Sequence, residues 1–211
     1  MNMSTILDTL AGTNGAVQPS STTAPSSIEV IPYDARLDVQ ADAFLPWIWH
    51  KMQQDDLVDY YFPGQRDTGF ATFVRLMSGD AQVALFKTAL DSDQWEDRIA
   101  GFISWTPSHL GATEAIIAGF IFFRRWQDHH TTDEAAVAAF NYWFTKTKAS
   151  VVLGICPSLH HAAMRYNKRV GLKQIGLIPG AHLFKGQVCD AILFAKTREE
   201  WQKEQSCQQQ S

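Results

Sequence analysis

The sequence is poor in cysteine and has no long hydrophobic run. Its three cysteines, Cys156, Cys189 and Cys207, are widely spaced and contain no C-x-x-C pair, which argues against a disulfide framework or a zinc site. The longest apolar stretch, 115–123, is too short to span a bilayer, and no Lys or Arg precedes an apolar run at the N-terminus. We therefore expect a cytoplasmic protein with reduced thiols, no metal and no membrane partner.

Basic residues are too few to indicate a nucleic-acid partner. Lys and Arg number 18 against 22 Asp and Glu, which gives a formal charge of -4, and no basic stripe offsets this balance. The hydrophobic content of 45% is typical of a folded globular chain. The length of 211 residues suits one domain with a single sizeable core.

Composition divides the chain into three segments. Residues 1–27 are rich in Ser, Thr, Ala, Gly and Pro and have little to bury, so we predict a flexible arm that contacts another subunit or a partner protein. Residues 28–203 form the predicted domain, and residues 204–211 form a polar tail.

Apolar periodicity predicts an α/β (α+β) fold with a single domain. Runs of alternating or continuous apolar residues predict strands, and apolar residues at helical spacing predict helices. We expect a mixed central sheet of about six to seven strands flanked by about four helices. The predicted strands are 28–32, 82–90, 99–106, 112–123, 151–155, 172–178 and 188–194, and the helices begin at 41, 70, 131 and 159.

Turn and cap residues set the predicted boundaries in the second half. Thr131 and Glu134 have capping-box spacing before an apolar helical face. Ser158 is the expected N-cap of the next helix, and Gly171 is its expected stop. Turns at Pro179-Gly180 and at Gly186 are predicted to join the last two strands.

A set of spaced residues runs through the C-terminal fifty positions. It consists of His160, Ala163, Gly171, Leu172, Gly176, Asp190, Thr197, Glu199, Glu200 and Trp201. This set resembles the C-terminal half of the GNAT superfamily, the acetyl-CoA-dependent N-acetyltransferases. The family pattern there is N-x-x-A on a helix, a Gly and an apolar residue eight positions later, a hairpin, and a T-x-E-E-W-like tail.

The resemblance implies that acetyl-CoA binds as cosubstrate between the strands at 112–123 and 151–155, which should part to admit it. In the family, the loop after the fourth strand holds the pyrophosphate on backbone N–H groups and a helix N-terminus. The matching loop, 124–132, contains no glycine, so this chain is a divergent member in that respect. Its arginines and histidines either supply side-chain charge to the phosphates or are solvated loop residues.

The resemblance also implies roles for individual residues. His160 takes the place of the family's asparagine beside the pantetheine arm, and Lys168 and Arg169 either reach the 3′-phosphate or form a solvated basic face. The residues expected to bind acetyl-CoA are Phe122, Phe123, Arg124, Arg125, His129, His130, Thr131, Thr132, His160, Asn167, Lys168 and Arg169.

Three residues are candidates for the chemistry itself. Many family members have a tyrosine where this chain has Asn167, which can donate a hydrogen bond to a thiolate but cannot protonate it. Tyr166, one position earlier, should face the core. An amine acceptor needs deprotonating, and Glu114 is the first candidate base and His109 the second. The alternative is that Glu114 is only an exposed residue at the start of a strand and His109 only a loop residue.

Two functions follow from these observations. The first is an N-acetyltransferase that moves an acetyl group from acetyl-CoA to a primary amine of a small molecule or protein by direct attack. The second is a catalytically degenerate GNAT-like structural or interaction protein of a viral or multi-subunit assembly, which the glycine-free loop and Asn167 favour. The acceptor wall is expected to include Trp47, Trp49, Tyr60, Tyr61 and Phe62.

Overall fold

A seven-stranded mixed sheet organises the protein. The computed structural model describes residues 28–62, 69–110 and 113–208, so the predicted arm at residues 1–27 lies outside the described residues. The strand order is β1-β2-β3-β4-β5-β7-β6, and every neighbouring pair is antiparallel except β4 and β5. The strands are β1 (Ile28–Tyr33), β2 (Gln82–Thr88), β3 (Ile99–Leu110), β4 (Thr113–Phe122), β5 (Val151–Pro157), β6 (Lys173–Phe184) and β7 (Gln187–Thr197).

Helices lie on both faces of this sheet. Seven occur in the described part of the chain: α1 (Ala41–Gln54), α2 (Val58–Tyr61), α3 (Phe70–Arg75), α4 (Trp95–Arg98), α5 (His129–Lys146), α6 (His161–Arg169) and α7 (Arg198–Gln208). A π-helical turn, Leu76–Asp80, follows α3, and a 3₁₀ turn, Arg124–Trp126, follows β4. The structure confirms the predicted single α/β domain with a mixed sheet.

The core has two layers because strand side chains alternate between faces. Phe102 and Ile103 are neighbours on β3, yet Phe102 packs in the cluster with α1 and α3, and Ile103 packs in the cluster with α5. Trp143 on α5 and Phe44 on α1 are fully buried, one in each layer. The sheet is therefore covered on both faces along its first four strands.

Helix α5 begins earlier than predicted. Asp128 is its N-cap, and its carboxylate accepts a hydrogen bond of 2.9 Å from the Thr131 backbone N–H. The prediction of a cap at Thr131 is therefore wrong, because Asp128, which can cap equally well, lies three positions upstream. As a consequence, residues 129–132 form the first turn of the helix and are not loop residues.

The second half of the chain differs from prediction at two turns. Helix α6 follows His160 as N-cap, so Ser158 is not the cap, but Gly171 ends this helix with φ +85° as expected. Strand β6 continues through Pro179-Gly180, where the ladder to β7 shifts register, so the predicted turn there is wrong. The hairpin turns at Lys185-Gly186, where both residues have positive φ, as in a two-residue type I′ turn.

The last helix extends beyond the predicted domain boundary. Helix α7 runs to Gln208 and so includes Glu204, which the sequence-based boundaries place in the tail. The ammonium of Lys196 is buried and donates a hydrogen bond of 2.6 Å to the Glu204 carboxylate, which fixes α7 against β7.

Candidate active site

The parallel strands β4 and β5 pair over a short length and then separate. Only residues 115–117 of β4 pair with residues 151–153 of β5. Just before these paired residues, the Ser150 N–H donates a 2.7 Å hydrogen bond to the Glu114 carbonyl. Beyond this point β5 continues to pair along its other edge with β7 as far as Pro157. The predicted parting of these strands is confirmed, and a cleft opens between them.

One end of the cleft, which we call the inner cavity, has a volume of about 430 Å³. Its wall includes Ile117 and Gly119 of β4 and Ile155 of β5, so it lies where the two strands separate. Polar groups reach it from several elements. They belong to Tyr60, Tyr61, Ser104, Thr106, Asn167, His160 and His182.

The other end, which we call the outer cavity, has a volume of about 410 Å³ and lies beside the start of α5. Arg124, His129 and Arg165 line it. Tyr60 and Ala163 line both cavities, so the inner and outer cavities are two ends of one cleft.

A stack of rings crosses the cleft between its two ends. His160 lies with its ring centroid 4.2 Å from that of Tyr60 and 5.4 Å from that of Phe184. Lys185, at the hairpin tip, bonds the Asp56 carboxylate at 2.5 Å. Burial, with smaller contributions from Lys185 and His161, lowers the pKa of His160 to about 4, so its ring is neutral at pH 7.

Tyr61 lines the inner cavity, and its hydroxyl is buried. This hydroxyl has no hydrogen-bond partner among the described residues. Burial raises the pKa of Tyr61, so the group stays protonated. Ser104 is close enough to oppose that shift but does not complete a hydrogen bond. The Ser104 Oγ also lies 4.0 Å from the place where a Cβ at position 119 would be, so Ser104, and Tyr61 near it, lie close to β4.

Asn167 and Tyr166 are neighbours on α6 with different surroundings. Both line the inner cavity, but only Tyr166 also lines the outer cavity. Tyr166 packs edge-on against Phe120 and Phe122 at 5.7 Å, and its hydroxyl donates to the Thr132 carbonyl at 3.1 Å. The prediction that Tyr166 joins the core is confirmed.

The backbone and helix N-terminus at the outer cavity already have partners within the protein. The Asp128 carboxylate occupies the start of α5, and hydrogen bonds from Thr131 lower its pKa, so it is an anion at pH 7. The backbone N–H of Arg124 donates to the Asp55 carboxylate at 2.7 Å. An incoming anion therefore meets two carboxylates where the backbone donors are.

Several side chains predicted to bind the cofactor are likewise paired. Arg125 bonds Asp97, and Arg169 bonds Asp133 at 2.8 Å. Five predicted residues lie outside the linings of both cavities: Phe123, Arg125, His130, Thr131 and Lys168. Those that line the outer cavity are Phe122, Arg124, His129, Thr132, His160 and Arg169.

Three of the basic side chains on the outer cavity make no ion pair within the described part of the chain. They are Arg124, His129 and Arg165. Arg165 was not among the predicted site residues, because on the sequence it is one of several basic residues on an exposed helix. Its place beside Arg124 depends on how α6 packs over the end of β4.

The two candidate bases lie away from the cleft. Glu114 and His109 face each other in register across β3 and β4, and both are exposed. Neither lines the inner or the outer cavity. Their role as bases stays a prediction.

His182 and Ser104 are inner-cavity residues that the sequence did not single out. His182 lies on β6 just after the register shift, and burial lowers its pKa. Of the predicted acceptor wall, Tyr60, Tyr61 and Phe62 line the inner cavity. Trp47 and Trp49 instead pack among aromatic rings near α1.

The described residues contain no group of His, Cys, Asp and Glu side chains arranged to hold a metal ion. Among the same residues, no helix has the length and apolar character needed to cross a membrane.

The fold is similar to that of solved acetyltransferase structures. No protein-family model matches the sequence, and no curated protein matches it. A probable acetyltransferase (GNAT family) from Chromobacterium violaceum superposes with a TM-score of 0.63 and 18% identity, covering 90% of this chain and 100% of that one.

Two further structures give the same picture. A spermidine N-acetyltransferase chimera from Vibrio cholerae and hSSAT has a TM-score of 0.63 and 12% identity, over 84% of this chain and 99% of that one. The microcin C7 self-immunity acetyltransferase MccE, in complex with acetyl-CoA and AMP, has a TM-score of 0.60 and 13% identity. The match covers 87% of this chain and 99% of that one. The chain therefore has the GNAT fold, as its C-terminal residues predict.

Proposed function

We propose that the protein is an N-acetyltransferase that moves an acetyl group from acetyl-CoA to a primary amine. The observation that carries this proposal is the parting of β4 and β5 after three paired residues, with cavities of about 430 and 410 Å³ along one cleft. A long, narrow thiol carrier fits such an opening. The similar structures support the proposal, since all three are named as acetyltransferases and one contains acetyl-CoA.

The reaction we propose is direct attack. The amine nitrogen forms a bond to the thioester carbonyl carbon and gives up one proton, the C–S bond breaks, and the sulfur leaves with the electron pair and takes up one proton. Burial raises the pKa of Cys156, the cysteine that lines the inner cavity, to about 12, so its thiol is a poor nucleophile. The proposed reaction therefore contains no covalent acetyl-cysteine intermediate.

Little acid catalysis is required on the sulfur side. A CoA thiol has a pKa near that of free cysteine, about 8.5, so it can leave as the thiolate. Asn167 lines the inner cavity and can donate a hydrogen bond to that sulfur. We propose that this amide replaces the tyrosine that many family members have at this position.

We assign phosphate binding to the unpaired basic side chains of the outer cavity. Arg124, His129 and Arg165 line it and make no ion pair within the described residues. Guanidinium groups bind phosphate oxygens through charge-assisted hydrogen bonds, which do not need glycine in the backbone. Side chains thus take the part that backbone N–H groups have in a glycine-rich loop.

The second candidate is a catalytically degenerate GNAT-like structural or interaction protein. The Asp128 carboxylate favours it, because an anionic cap on the N-terminus of α5 opposes a pyrophosphate at the same place. This candidate predicts that the cleft binds no acetyl-CoA.

A thermal-shift titration with acetyl-CoA separates the two. A ligand at 100 times its Kd stabilises the native state by about 2.7 kcal/mol. For a domain of this size we expect that to raise Tm by about 5 to 10 °C. Release of free thiol on adding a panel of primary amines then reports acetyl transfer.

Each result has one meaning. A shift with thiol release supports the transferase, and a shift without release for any amine leaves a binding module. The absence of a shift at millimolar acetyl-CoA would overturn the proposed function and favour the degenerate protein.

A further inference from the structure

The inner cavity has an uncharged wall within the described part of the chain. Its lining contains no Asp, Glu, Lys or Arg side chain. The polar side-chain groups of its lining are hydroxyls, the Asn167 amide, the Trp105 indole N–H, the Cys156 thiol and two histidines. Burial is the leading cause that lowers the pKa of both His160 and His182, so both rings are neutral at pH 7.

The rest of this wall is apolar and largely aromatic. Tyr61, Phe62 and Trp105 face it together with Leu76 and Ile117. A cavity of this kind favours a ligand with an apolar body and strongly disfavours a second ammonium group, because a buried charge without a partner is costly. The amine that reacts must also be neutral, since only the unprotonated nitrogen has a lone pair for attack.

Two buried polar atoms on residues of this wall lack a partner among the described residues, the Tyr61 hydroxyl and the Trp105 Nε1–H. The Tyr61 hydroxyl is buried, and none of the described residues completes a hydrogen bond to it. Buried hydroxyl groups in native proteins nearly always have a partner, so an orphan one on a residue that lines a cavity points to a polar atom of a ligand as its partner. The nearby Ser104 Oγ adds a second hydroxyl on the same side of β4.

We propose that the acceptor is a small primary amine on an apolar or aromatic body with no second charge, and that Tyr61 is the residue that positions its amino group. The phenolic oxygen of Tyr61 accepts a hydrogen bond from the amine N–H, which leaves the nitrogen lone pair free to attack. This inference rests on the proposed function and narrows it to one class of acceptor.

A comparison of acceptors tests the class. Thiol release is measured with acetyl-CoA and either 2-phenylethylamine or spermidine, at pH 8 and equal concentrations. We expect kcat/KM to be at least about a hundredfold higher for 2-phenylethylamine, since spermidine must bury or neutralise further ammonium groups. Equal rates, or a preference for spermidine, would overturn the inference while leaving the acetyltransferase proposal intact.

Tyr61→Phe tests the residue, with Tyr142→Phe as the matched control. Tyr142 is a half-buried tyrosine on α5 that packs against Trp105 and lines neither end of the cleft. We expect Tyr61→Phe to lower kcat/KM for 2-phenylethylamine about tenfold to a hundredfold and to leave the acetyl-CoA thermal shift unchanged. Tyr142→Phe should change neither.

The stability of the ligand-free protein gives a readout that a structural role would not produce. Because the Tyr61 hydroxyl is buried without a partner, replacing it with hydrogen removes an unsatisfied group, so Tm without ligand should stay the same or rise. A fall in Tm, or an unchanged kcat/KM in Tyr61→Phe, would overturn the role of Tyr61. Loss of the acetyl-CoA shift in the wild-type protein would instead overturn the proposed function, and this inference with it.

Discussion

The inner and outer cavities are two ends of one cleft, but they differ in how their polar groups are bonded. At the inner end the Tyr61 hydroxyl has no partner among the described residues, and the His160 ring is neutral. At the outer end Asp128 caps a helix with its carboxylate, and Arg169 is paired with Asp133. The inner end therefore has hydrogen-bonding capacity ready for a ligand, whereas the outer end has satisfied much of its own.

This difference shows which groups can bind an anion without rearrangement. A helix N-terminus with free N–H groups attracts phosphate, but α5 gives one of these donors to Asp128. The basic side chains that remain without an ion pair among the described residues are those of Arg124, His129 and Arg165. Affinity for the phosphates should therefore depend on side chains more than on backbone.

The largest effect should come from filling the middle of the cleft. Ala163 lines both cavities, so Ala163→Trp places an indole where the two ends meet. We expect it to abolish the acetyl-CoA thermal shift and to lower thiol release more than about a hundredfold, since a misplacement of about 1 Å already costs that much.

The control for this change is Val137→Trp, on an exposed position of α5 outside the cleft. It should bind acetyl-CoA as the wild-type protein does. If Ala163→Trp folds and still shows the full shift, the two cavities do not form a common binding site, and the comparison between them has no functional meaning.

The next effect concerns the unpaired cations of the outer end. Arg124→Ala should weaken acetyl-CoA binding about tenfold, because a hydrogen bond to a charged group contributes about 1.5–3 kcal/mol. Isothermal titration calorimetry gives the two Kd values.

Arg125→Ala is the matched control for Arg124→Ala. Arg125 follows directly in the chain but pairs with Asp97 and stacks on Trp126, outside both cavities. We expect Arg125→Ala to change the Kd for acetyl-CoA less than about twofold. Equal losses in both variants would mean that general charge, and not the lining of the outer cavity, governs binding.

A smaller effect, of opposite sign, should follow from Asp128→Asn. Asparagine caps a helix about as well as aspartate, so α5 should keep its stability while its N-terminus loses an anion. Charges near a helix end contribute about 0.3–1 kcal/mol, so Kd for acetyl-CoA should fall about two- to fivefold. The gain should shrink as salt is raised. Unchanged binding at low salt would show that the phosphates do not approach this helix end.

The sequence predicted the inner end better than the outer end, for a physical reason. The separation of β4 and β5 was expected from the resemblance to the GNAT superfamily carried by the pattern that ends at Trp201, and the aromatic residues Tyr60 to Phe62 were expected at the acceptor wall. That the Tyr61 hydroxyl has no partner could not be predicted, because it depends on where Ser104 of a distant strand is placed.

The outer end depended on choices that short sequence patterns leave open. Asp128 and Thr131 are both good N-caps three residues apart, and only the packing of α5 selects Asp128. Elsewhere in the fold, Pro179-Gly180 has the sequence of a turn, but β6 pairs with β7 on both sides of it. The dipeptide therefore lies at a register shift within the strand pair and not at a turn. Arg125 and Arg169 look alike on the sequence, and their acidic partners are far along the chain.

The smallest effect concerns the neutrality of the ring that lies between the two ends. In the folded protein the pKa of His160 is lowered to about 4, against an ordinary value of 6.5. As pH falls from about 6.5 towards 4, the unfolded chain takes up a proton that the folded protein does not, so this residue lowers stability in that window and has no effect above it. Solvent screening of a half-buried ring reduces the loss to about 1 kcal/mol.

His160→Phe isolates this contribution because phenylalanine can keep the stack with Tyr60 and Phe184 but cannot take up a proton. Urea unfolding at pH 7 and at pH 4.5 measures it. The variant should gain stability relative to wild type as pH falls. Lys185 and His161, the charged and titratable neighbours of His160, are present in both proteins, so their own contributions cancel in the comparison. A constant difference between the two pH values would mean that His160 titrates near its ordinary pKa, and the inner end would then carry a positive charge at mildly acidic pH.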